Sequence, residues 1–428
     1  MTKKEIIKQI IRDFHLQGSF NVRPRRMTVP LSTGKIIVLT GVRRCGKTSL
    51  LYHTMNILAK DMDKTKILFI NFEDERLELP ANELDLVIQS YSELYPEQSF
   101  EDIYLFFDEV QNVPGWERFV RRVYDTITRN IFITGSNSRM LGSEIATGLR
   151  GRTLRLEVYP LSFSEYLEFK NIEMDMYSTR QLAFIRKAQE DYLQYGGFPE
   201  ALFIGEEYRV QLLQEYFNVL LYRDIAERYG VQNLSALKFF LKRVISSTTK
   251  QLSIHKIYND LKSANLRIGK NTLYNFLDYA RDSYLALTIH RFDPSLVARE
   301  LGEKKVYTID NGICEAVEYR FSLDQGKALE NAVFLELKRA GHDLFYFRDD
   351  SGECDFLLTD RGRVKGALQV CQHMVNETIK KRELKGLTRA CAMFNLNRAV
   401  IITKDTLDDW ETEGLQIDVV PFYRYFGA

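Results

Sequence analysis

Short continuous apolar runs, separated by stretches with helical spacing, dominate the first 160 residues of this chain. Apolar runs without polar alternation are typical of parallel strands that are covered on both faces. Each run ends in polar residues, and ligands of such sheets bind beyond the carboxyl ends of the strands. The pattern therefore predicts an α/β fold with a parallel-sheet core. The predicted strands are 35–40, 66–71, 103–108, 130–135 and 153–158.

The rest of the chain shows three further patterns. Residues 4–16 carry apolar groups at helical spacing and predict a docking helix ahead of the sheet. Helical spacing also covers 164 to about 229, interrupted by the loop Gly196-Gly197-Phe198-Pro199. Three helices and a two-stranded hairpin are expected within 235–310, and an α/β domain follows. The predicted domains are 1–163, 164–234, 235–324 and 325–428.

Composition narrows the class of protein. A chain of 428 residues suggests two or three compact domains. The 59 Lys and Arg residues balance the 58 Asp and Glu residues, so net charge indicates no polyanionic partner. Five scattered cysteines without a C-x-x-C pair predict neither a disulfide framework nor a zinc site. With no signal peptide and no apolar run long enough to span a bilayer, a cytoplasmic location without membrane contact is expected.

A phosphate-binding pattern, G-x-x-x-x-G-K-[ST], follows the first predicted strand and begins a predicted helix. Its glycines allow the backbone to approach phosphate oxygens, and the loop amides and helix N-terminus offer donors to them. Lys47 is expected on the β- and γ-phosphates and the Thr48 hydroxyl on Mg²⁺. The alternative is a glycine-rich turn that merely begins a helix. The predicted nucleotide-binding residues are Gly41, Val42, Arg43, Arg44, Cys45, Gly46, Lys47, Thr48 and Ser49.

The third predicted strand delivers two carboxylates, Asp108 and Glu109. Asp108 is expected to hold Mg²⁺ through water opposite Thr48, and Glu109 to deprotonate the attacking water. A second carboxylate favours a hydrolysing enzyme over a small-molecule kinase. By itself the pair also fits a solvated strand end, but about 60 residues after a phosphate loop it indicates a catalytic pair.

Polar residues also end the fourth predicted strand. Ser136 or Asn137 is expected to contact the γ-phosphate or the attacking water, and an ordinary turn or helix cap is an equal alternative. The sequence contains no Asn-Lys-x-Asp motif for reading guanine, which favours ATP over GTP.

The order of these motifs resembles that of prokaryotic AAA-plus-type ATPases with a C-terminal domain of unknown function. The resemblance covers essentially the whole chain. It implies that Ser136 is the first sensor and that Asn71 restrains Glu109 until a partner binds. The stretches that carry it are 41–48, 71–74, 107–111, 134–136, 151–152, 159–163 and 196–200.

The same resemblance directs attention to an arginine just before the last strand of the sheet. Arg152, or alternatively Arg150, is expected to reach the γ-phosphate of a neighbouring subunit, so that hydrolysis depends on self-association. Such an arginine contributes about 10³–10⁵-fold in rate. The alternative is a surface arginine that pairs with the sheet edge. No second sensor can be assigned in the helical stretch, although Arg223 and Asp224 lie there.

Residues 235–310 are similar to a winged helix-turn-helix. Asn271, Thr272 and Asn275 begin the expected recognition helix, and the region suggests a contact with double-stranded DNA. A solvated basic face on a protein-docking domain is the alternative. Between 238 and 270 one acid, Asp260, stands against eight basic residues: Lys238, Lys242, Arg243, Lys250, Lys256, Lys262, Arg267 and Lys270.

From residue 325 the predicted order is helix, three strands, helix, strand, which resembles a PD-(D/E)xK nuclease core. Glu330 and Asp355 match metal-binding positions of that family. Where an active member has Glu-x-Lys, this chain has Gln369-Val370-Cys371, which loses both the carboxylate and the positive charge. We therefore expect a degenerate, non-cutting module, which still carries basic residues at 380–382 and Lys385.

These patterns predict an ATP- and Mg²⁺-dependent molecular switch coupled to DNA or to a protein partner. Two alternatives remain. One is a DNA-binding module in which ATP only sets the conformation, and the other is an ATP-dependent nuclease.

Overall fold

The computed structural model describes residues 2–136, 145–317, 324–350, 352–372, 377–412 and 414–427, without the side chains of 145, 146, 300 and 377–383. The chain divides into two compact units, Met1–Val158 and Tyr159–Ala428. Among the described residues, no helix is long and apolar enough to cross a membrane.

The first unit is built on a five-stranded, fully parallel sheet, as the sequence predicted. Its strand order is β2-β3-β4-β1-β5, so β4 lies between β1 and β3. This order brings the carboxyl ends of three strands side by side. The strands are β1 (Ile36–Thr40), β2 (Ile67–Asn71), β3 (Tyr104–Asp108), β4 (Ile131–Gly135) and β5 (Thr153–Glu157).

Amphipathic helices cover this sheet. The N-terminal helix begins with a capping box between Thr2 and Glu5 and buries Ile7 and Ile11 in the core of the unit. The predicted docking helix is therefore an integral part of the first unit. Among the described residues of this unit, the helices of four or more residues are Lys3–Leu16, Lys47–Asp61, Asp85–Leu94, Trp116–Thr126 and Ile145–Leu149.

The second unit begins with a mainly helical region, as predicted, and further helices are interspersed among its strands. The loop at Gly196 and Gly197 is held by the buried Asp310 carboxylate, which accepts a 2.7 Å hydrogen bond from the Gly197 amide. The helices are Phe163–Phe169, Thr179–Tyr195, Pro199–Leu202, Glu206–Val219, Leu220–Glu227, Leu234–Ser246, Ile254–Ser263, Lys270–Asp282, Leu296–Leu301, Asn311–Val317, Gln325–Arg339, Glu377–Phe394 and Phe422–Phe426.

An eight-stranded mixed sheet completes the second unit, in the order β12-β13-β11-β10-β9-β8-β6-β7. Its central part follows the predicted order of helix, three strands, helix and strand. The strands are β6 (Ala286–Arg291), β7 (Lys304–Thr308), β8 (Asp343–Asp349), β9 (Gly352–Asp360), β10 (Arg363–Val370), β11 (Arg398–Thr403), β12 (Asp408–Thr412) and β13 (Leu415–Pro421).

The hairpin predicted as a wing forms from β6 and β7, with Ala286 opposite Thr308. However, β6 also pairs in parallel with β8, where His290 lies opposite Phe345. The hairpin is therefore the edge of the large sheet rather than a separate wing. Because an unpaired strand edge exposes backbone donors and acceptors, joining a neighbouring sheet satisfies one side of the hairpin.

Candidate nucleotide site and C-terminal charge cluster

The loop that follows β1 has the backbone geometry that its glycines predict. A Cβ atom at Gly41 would lie 2.1 Å from the carbonyl oxygen of Val158, so no larger residue fits there. Gly46 adopts a left-handed conformation (φ 100°) at the N-cap of the helix Lys47–Asp61. The loop thus leads into a helix N-terminus, whose free amides favour an anion.

Lys47 is buried at the base of this loop. Its ammonium donates to the carbonyl oxygens of Gly41 (3.2 Å) and Val42 (3.1 Å) and lies 3.5 Å from a carboxylate oxygen of Glu109. Burial alone would lower the pKa of Lys47, but the Glu109 carboxylate raises it overall. The ammonium is therefore charged, and its present partners are ones that a phosphate group would replace.

Thr48 and Asp108 supply the oxygen atoms expected for a magnesium ion. The Thr48 hydroxyl donates to one oxygen of Asp108 (2.8 Å), and the Thr134 hydroxyl donates to the other (2.5 Å). Burial raises the pKa of the Asp108 carboxyl. A hydroxyl and a carboxylate are suitable donors for Mg²⁺, so the residues fit this ion.

Glu109 lies at the end of β3 in a left-handed backbone conformation (φ 49°), which its own amide stabilises by donating to Thr134 Oγ1 (2.9 Å). Burial alone would raise the pKa of Glu109, but the Lys47 ammonium lowers it overall. Glu109 is consequently a carboxylate at neutral pH and has the protonation state that a general base requires.

The side-chain amide of Gln111 holds this carboxylate. Its Nε2 donates to Glu109 Oε2 and lies 3.4 Å from Ser136 Oγ, while its Oε1 is buried and has no hydrogen-bond partner among the described residues. Ser136, the predicted first sensor, therefore lies beside both Gln111 and Glu109, and its hydroxyl also lowers the pKa of Glu109. Asn71 instead accepts a hydrogen bond from the Glu73 amide (2.9 Å), so Gln111 rather than Asn71 contacts Glu109 here.

The other predicted loop residues divide into buried and exposed ones. Val42 and Cys45 are buried, and burial raises the pKa of the Cys45 thiol. Arg43 pairs with Glu73 (2.9 Å), while Arg44 and Ser49 are exposed. Asn137 lies outside the described residues.

The candidate arginine fingers are not part of this cluster. Arg152 makes a two-pronged pair with Asp125, through 2.9 Å and 3.2 Å contacts, and also donates to the Leu149 carbonyl oxygen. Arg150 is exposed and adopts a left-handed conformation (φ 46°). The partner of the Arg152 side chain is thus on the helix Trp116–Thr126, and the role of an arginine finger stays a prediction.

The sequence missed two residues of the site, Thr134 and Gln111. Thr134 lies at the end of β4, and only the placement of β4 between β1 and β3 brings it to Asp108. Gln111 follows Glu109 within a short 3₁₀ turn, Val110–Asn112, that folds its amide back onto the carboxylate. The sequence shows an amide, Gln111, two residues after Glu109, but it does not show the direction in which that side chain points.

The basic region of the second unit presents a partly open polar surface. Asn271 and Asn275 on the predicted recognition helix Lys270–Asp282 are exposed. Arg243 pairs with Asp260 (2.8 Å), so its charge is compensated within the domain. The exposed basic side chains are Lys238, Lys250, Lys256, Lys262, Arg267 and Lys270.

The nuclease-like positions contain a lysine that the sequence did not predict. The ammonium of Lys305, on β7, lies 3.3 Å from Glu330 and 3.0 Å from Asp355. The side-chain oxygen of Gln369 accepts a hydrogen bond from the Asp355 amide (3.0 Å), and Cys371 is a buried thiol. Within the described residues, no group of three or more His, Cys, Asp or Glu side chains is arranged to hold a metal ion.

The parallel sheet with β4 between β1 and β3, the loop 41–49 and the pair Asp108 and Glu109 together define a P-loop ATPase of the AAA type. The family described as "AAA domain" matches residues 33–167. Two domains of unknown function follow, DUF8612 over 186–324 and DUF4143 over 325–425.

Similar proteins occur in an archaeon and in a bacterium. The uncharacterized protein MJ1544 of Methanocaldococcus jannaschii is 37% identical over an alignment of 440 positions, gaps included. The alignment covers 99% of this chain and 95% of that protein. An uncharacterized protein of Haemophilus influenzae is 31% identical over 326 residues, 76% of this chain and 80% of that protein. The chain therefore belongs to the same family as MJ1544.

Solved structures show a partial likeness. A Walker-type ATPase of Pyrococcus abyssi has a TM-score of 0.42 and 17% identity, with 70% of this chain and 99% of that chain covered. The Orc1 protein of Aeropyrum pernix in complex with DNA has a TM-score of 0.32 and 12% identity, with 74% and 91% covered. At these TM-scores the likeness carries no inference about ligands or partners.

Proposed function

We propose that this chain binds ATP together with Mg²⁺ at residues 41–49 and hydrolyses the bond between the β- and γ-phosphates. One observation carries the proposal. A buried lysine, a hydroxyl and two carboxylates meet at the carboxyl ends of adjacent parallel strands, next to a helix N-terminus. ATP is proposed rather than GTP because the sequence lacks a guanine-reading motif.

Each residue has a role that its present contacts suggest. Lys47 leaves the carbonyl oxygens of its own loop and pairs with phosphate oxygens, which are stronger partners because they are charged. Thr48 and Asp108 would hold Mg²⁺, which neutralises phosphate charge when bound.

The hydrolytic step uses Glu109. A water oxygen attacks the γ-phosphorus, the bond to the bridging oxygen breaks, and the water proton passes to the Glu109 carboxylate. Glu109 is not free to do this while Gln111 donates to it. We therefore propose that Gln111 restrains Glu109 in the resting chain, in the role that the sequence suggested for Asn71.

Self-association is proposed to complete the site. Because Arg152 is paired with Asp125 in its own chain, action on a neighbouring γ-phosphate requires that pair to open. The Arg152–Asp125 pair is partly exposed to solvent, and such pairs contribute only about 0–1 kcal/mol to stability. The γ-phosphate of a neighbouring subunit can therefore displace Asp125 from Arg152.

Double-stranded DNA is the proposed partner of the second unit. The supporting observation is that five exposed lysines and one exposed arginine, between 238 and 270, lie in the same region of the chain as the exposed Asn271 and Asn275. The rival is a basic face that docks a protein. If DNA binds through phosphate contacts, its association constant falls steeply as salt is added. The logarithm of the constant plotted against the logarithm of the salt concentration has a slope of about −0.9 for each contact.

The C-terminal α/β part is proposed to be a non-cutting module. Gln369 offers its oxygen to the Asp355 amide, and the buried thiol of Cys371 cannot replace a lysine. Lys385 belongs to its helix Glu377–Phe394, whereas the basic side chains at 380–382 lie outside those described.

The first experiment is ATP turnover per subunit across protein concentration, with and without double-stranded DNA. A superlinear dependence and stimulation by DNA are expected, and Lys47→Ala should lose ATP binding. Slow turnover that is independent of concentration and of DNA would refute assembly and DNA coupling. Normal ATP affinity in Lys47→Ala would refute the nucleotide site itself.

A further inference from the structure

A buried lysine in the second unit lies among three carboxylates that belong to two different elements. The Lys305 ammonium is 3.3 Å from Glu330 on the helix Gln325–Arg339, and 2.5 Å and 3.0 Å from Glu353 and Asp355 on β9. The Lys305 side chain is only 4% exposed. The ammonium, which has three N–H donors, donates hydrogen bonds to Glu330 and Asp355 and forms an ion pair with Glu353.

Neighbouring groups add further contacts. The Tyr307 hydroxyl donates to the same Glu330 oxygen that faces Lys305 (2.9 Å), the Val370 amide donates to the second oxygen of Asp355 (3.0 Å), and Arg348 lies 4.0 Å from the second oxygen of Glu353. The ammonium is therefore the centre of a buried polar cluster, and removing one member of such a cluster leaves its partners without their contact.

Two cations and three acids make up the cluster. Glu353 lies beside both Lys305 and Arg348, and Asp355 lies beside Lys305. Burial, and the neighbouring Asp355, raise the pKa of the Glu330 carboxyl. Burial alone would lower the pKa of Lys305, but the acids around it raise it well above its ordinary value.

A divalent cation does not fit this arrangement while the lysine is present. The carboxylate oxygens stand at 2.5–3.3 Å from the nitrogen, which is hydrogen-bonding distance, whereas Mg²⁺ takes oxygens at about 2.0–2.1 Å. The amide oxygen of Gln369 is directed to a backbone N–H. The metal that a nuclease-like fold implies is therefore in conflict with the residues of this chain.

We propose that the Lys305 ammonium takes the place of a divalent cation among Glu330, Glu353 and Asp355, and so joins β7 to β9 and to the helix Gln325–Arg339 without a metal. It follows that a neutral side chain at position 305 turns the same carboxylates into a divalent-cation site. This inference is independent of ATP hydrolysis.

Mn²⁺ binding to the full chain tests the proposal. All variants carry Asp108→Asn, so that the nucleotide site loses the carboxylate that is expected to hold the ion there. Lys305→Met is expected to bind one additional Mn²⁺ per chain, measured by titration calorimetry, and the further change Asp355→Asn should abolish that binding. The matched control Lys305→Arg keeps the positive charge and should bind no more Mn²⁺ than the parent.

Two results would overturn the proposal. One is a folded Lys305→Met chain that binds no more Mn²⁺ than the parent, and the other is a parent chain that already binds one Mn²⁺ through Asp355. If Lys305→Met does not fold without metal, refolding is measured with and without Mn²⁺. Recovery that depends on Mn²⁺ supports the proposal, and failure in both conditions while Lys305→Arg folds contradicts it.

Discussion

Replacing Gln111 by leucine should accelerate ATP hydrolysis, because it removes the donor that restrains Glu109. In the resting chain the Lys47 ammonium, the Gln111 amide and the Ser136 hydroxyl all act on the Glu109 carboxylate. Phosphate binding draws Lys47 away but leaves the Gln111 amide in place. Gln111 is therefore a contact that still opposes the catalytic position of Glu109 after ATP is bound.

The magnitude follows from the type of hydrogen bond. A bond to a charged group is worth about 1.5–3 kcal/mol, and roughly 1.4 kcal/mol corresponds to a factor of ten. At the lower end of that range, the population of released Glu109 rises about tenfold, and the single-turnover rate rises with it. The fold should tolerate the change, since leucine also removes the unpartnered buried oxygen of Gln111.

The assay is single-turnover hydrolysis with excess enzyme across pH. The Gln111 amide lowers the pKa of Glu109, so its removal should shift the acid limb of the rate to higher pH. Asn112→Ala is the matched control, because Asn112 is an exposed amide on the same turn. A plateau rate equal to or below that of the parent chain, at unchanged ATP affinity, would refute the restraint and make Gln111 a support for catalysis instead.

Three further predictions concern the same unit. Glu109→Gln should keep ATP affinity and lower hydrolysis by about 10²–10⁴-fold, measured by phosphate release, and near-normal turnover would exclude Glu109 as the base. Gly41→Ala should lose nucleotide binding, because the Cβ of alanine would lie 2.1 Å from the Val158 carbonyl oxygen. Binding is measured with a fluorescent ATP analogue, and an affinity equal to that of the parent chain would contradict the loop geometry. Arg152→Ala should remove any dependence of turnover per subunit on protein concentration, and a persisting dependence would assign the finger to another arginine.

Much of the nucleotide site was predictable because its residues are contiguous or end neighbouring strands. The loop 41–49 carries its own chemistry, and the carboxyl ends of parallel strands must share one edge of the sheet. The prediction that Asn71 restrains Glu109 is the exception, since Asn71 binds its own loop and Gln111 makes the contact. Sequence order alone does not reveal which of two nearby amides turns toward a carboxylate.

The C-terminal domain shows the opposite balance. Its helices and strands were predicted in the correct order because apolar residues recur in each with a clear period. The contact of Lys305 with the acids was not predicted. Lys305 lies 25 residues before Glu330 in a stretch interpreted as a wing, and no local pattern connects the two. The contact exists because the hairpin of β6 and β7 joins the sheet that carries Asp355.

The sequence by itself determined the parallel-sheet core, the phosphate loop and the adjacent carboxylates at the end of the third strand, because those features depend on residue type and on spacing along the chain. Only the tertiary structure decided which side chains contact Glu109, that Asp125 pairs with Arg152, and that a lysine lies among the acids of the C-terminal domain. Those outcomes depend on strand order and on side-chain direction, which bring together residues that are distant in the chain.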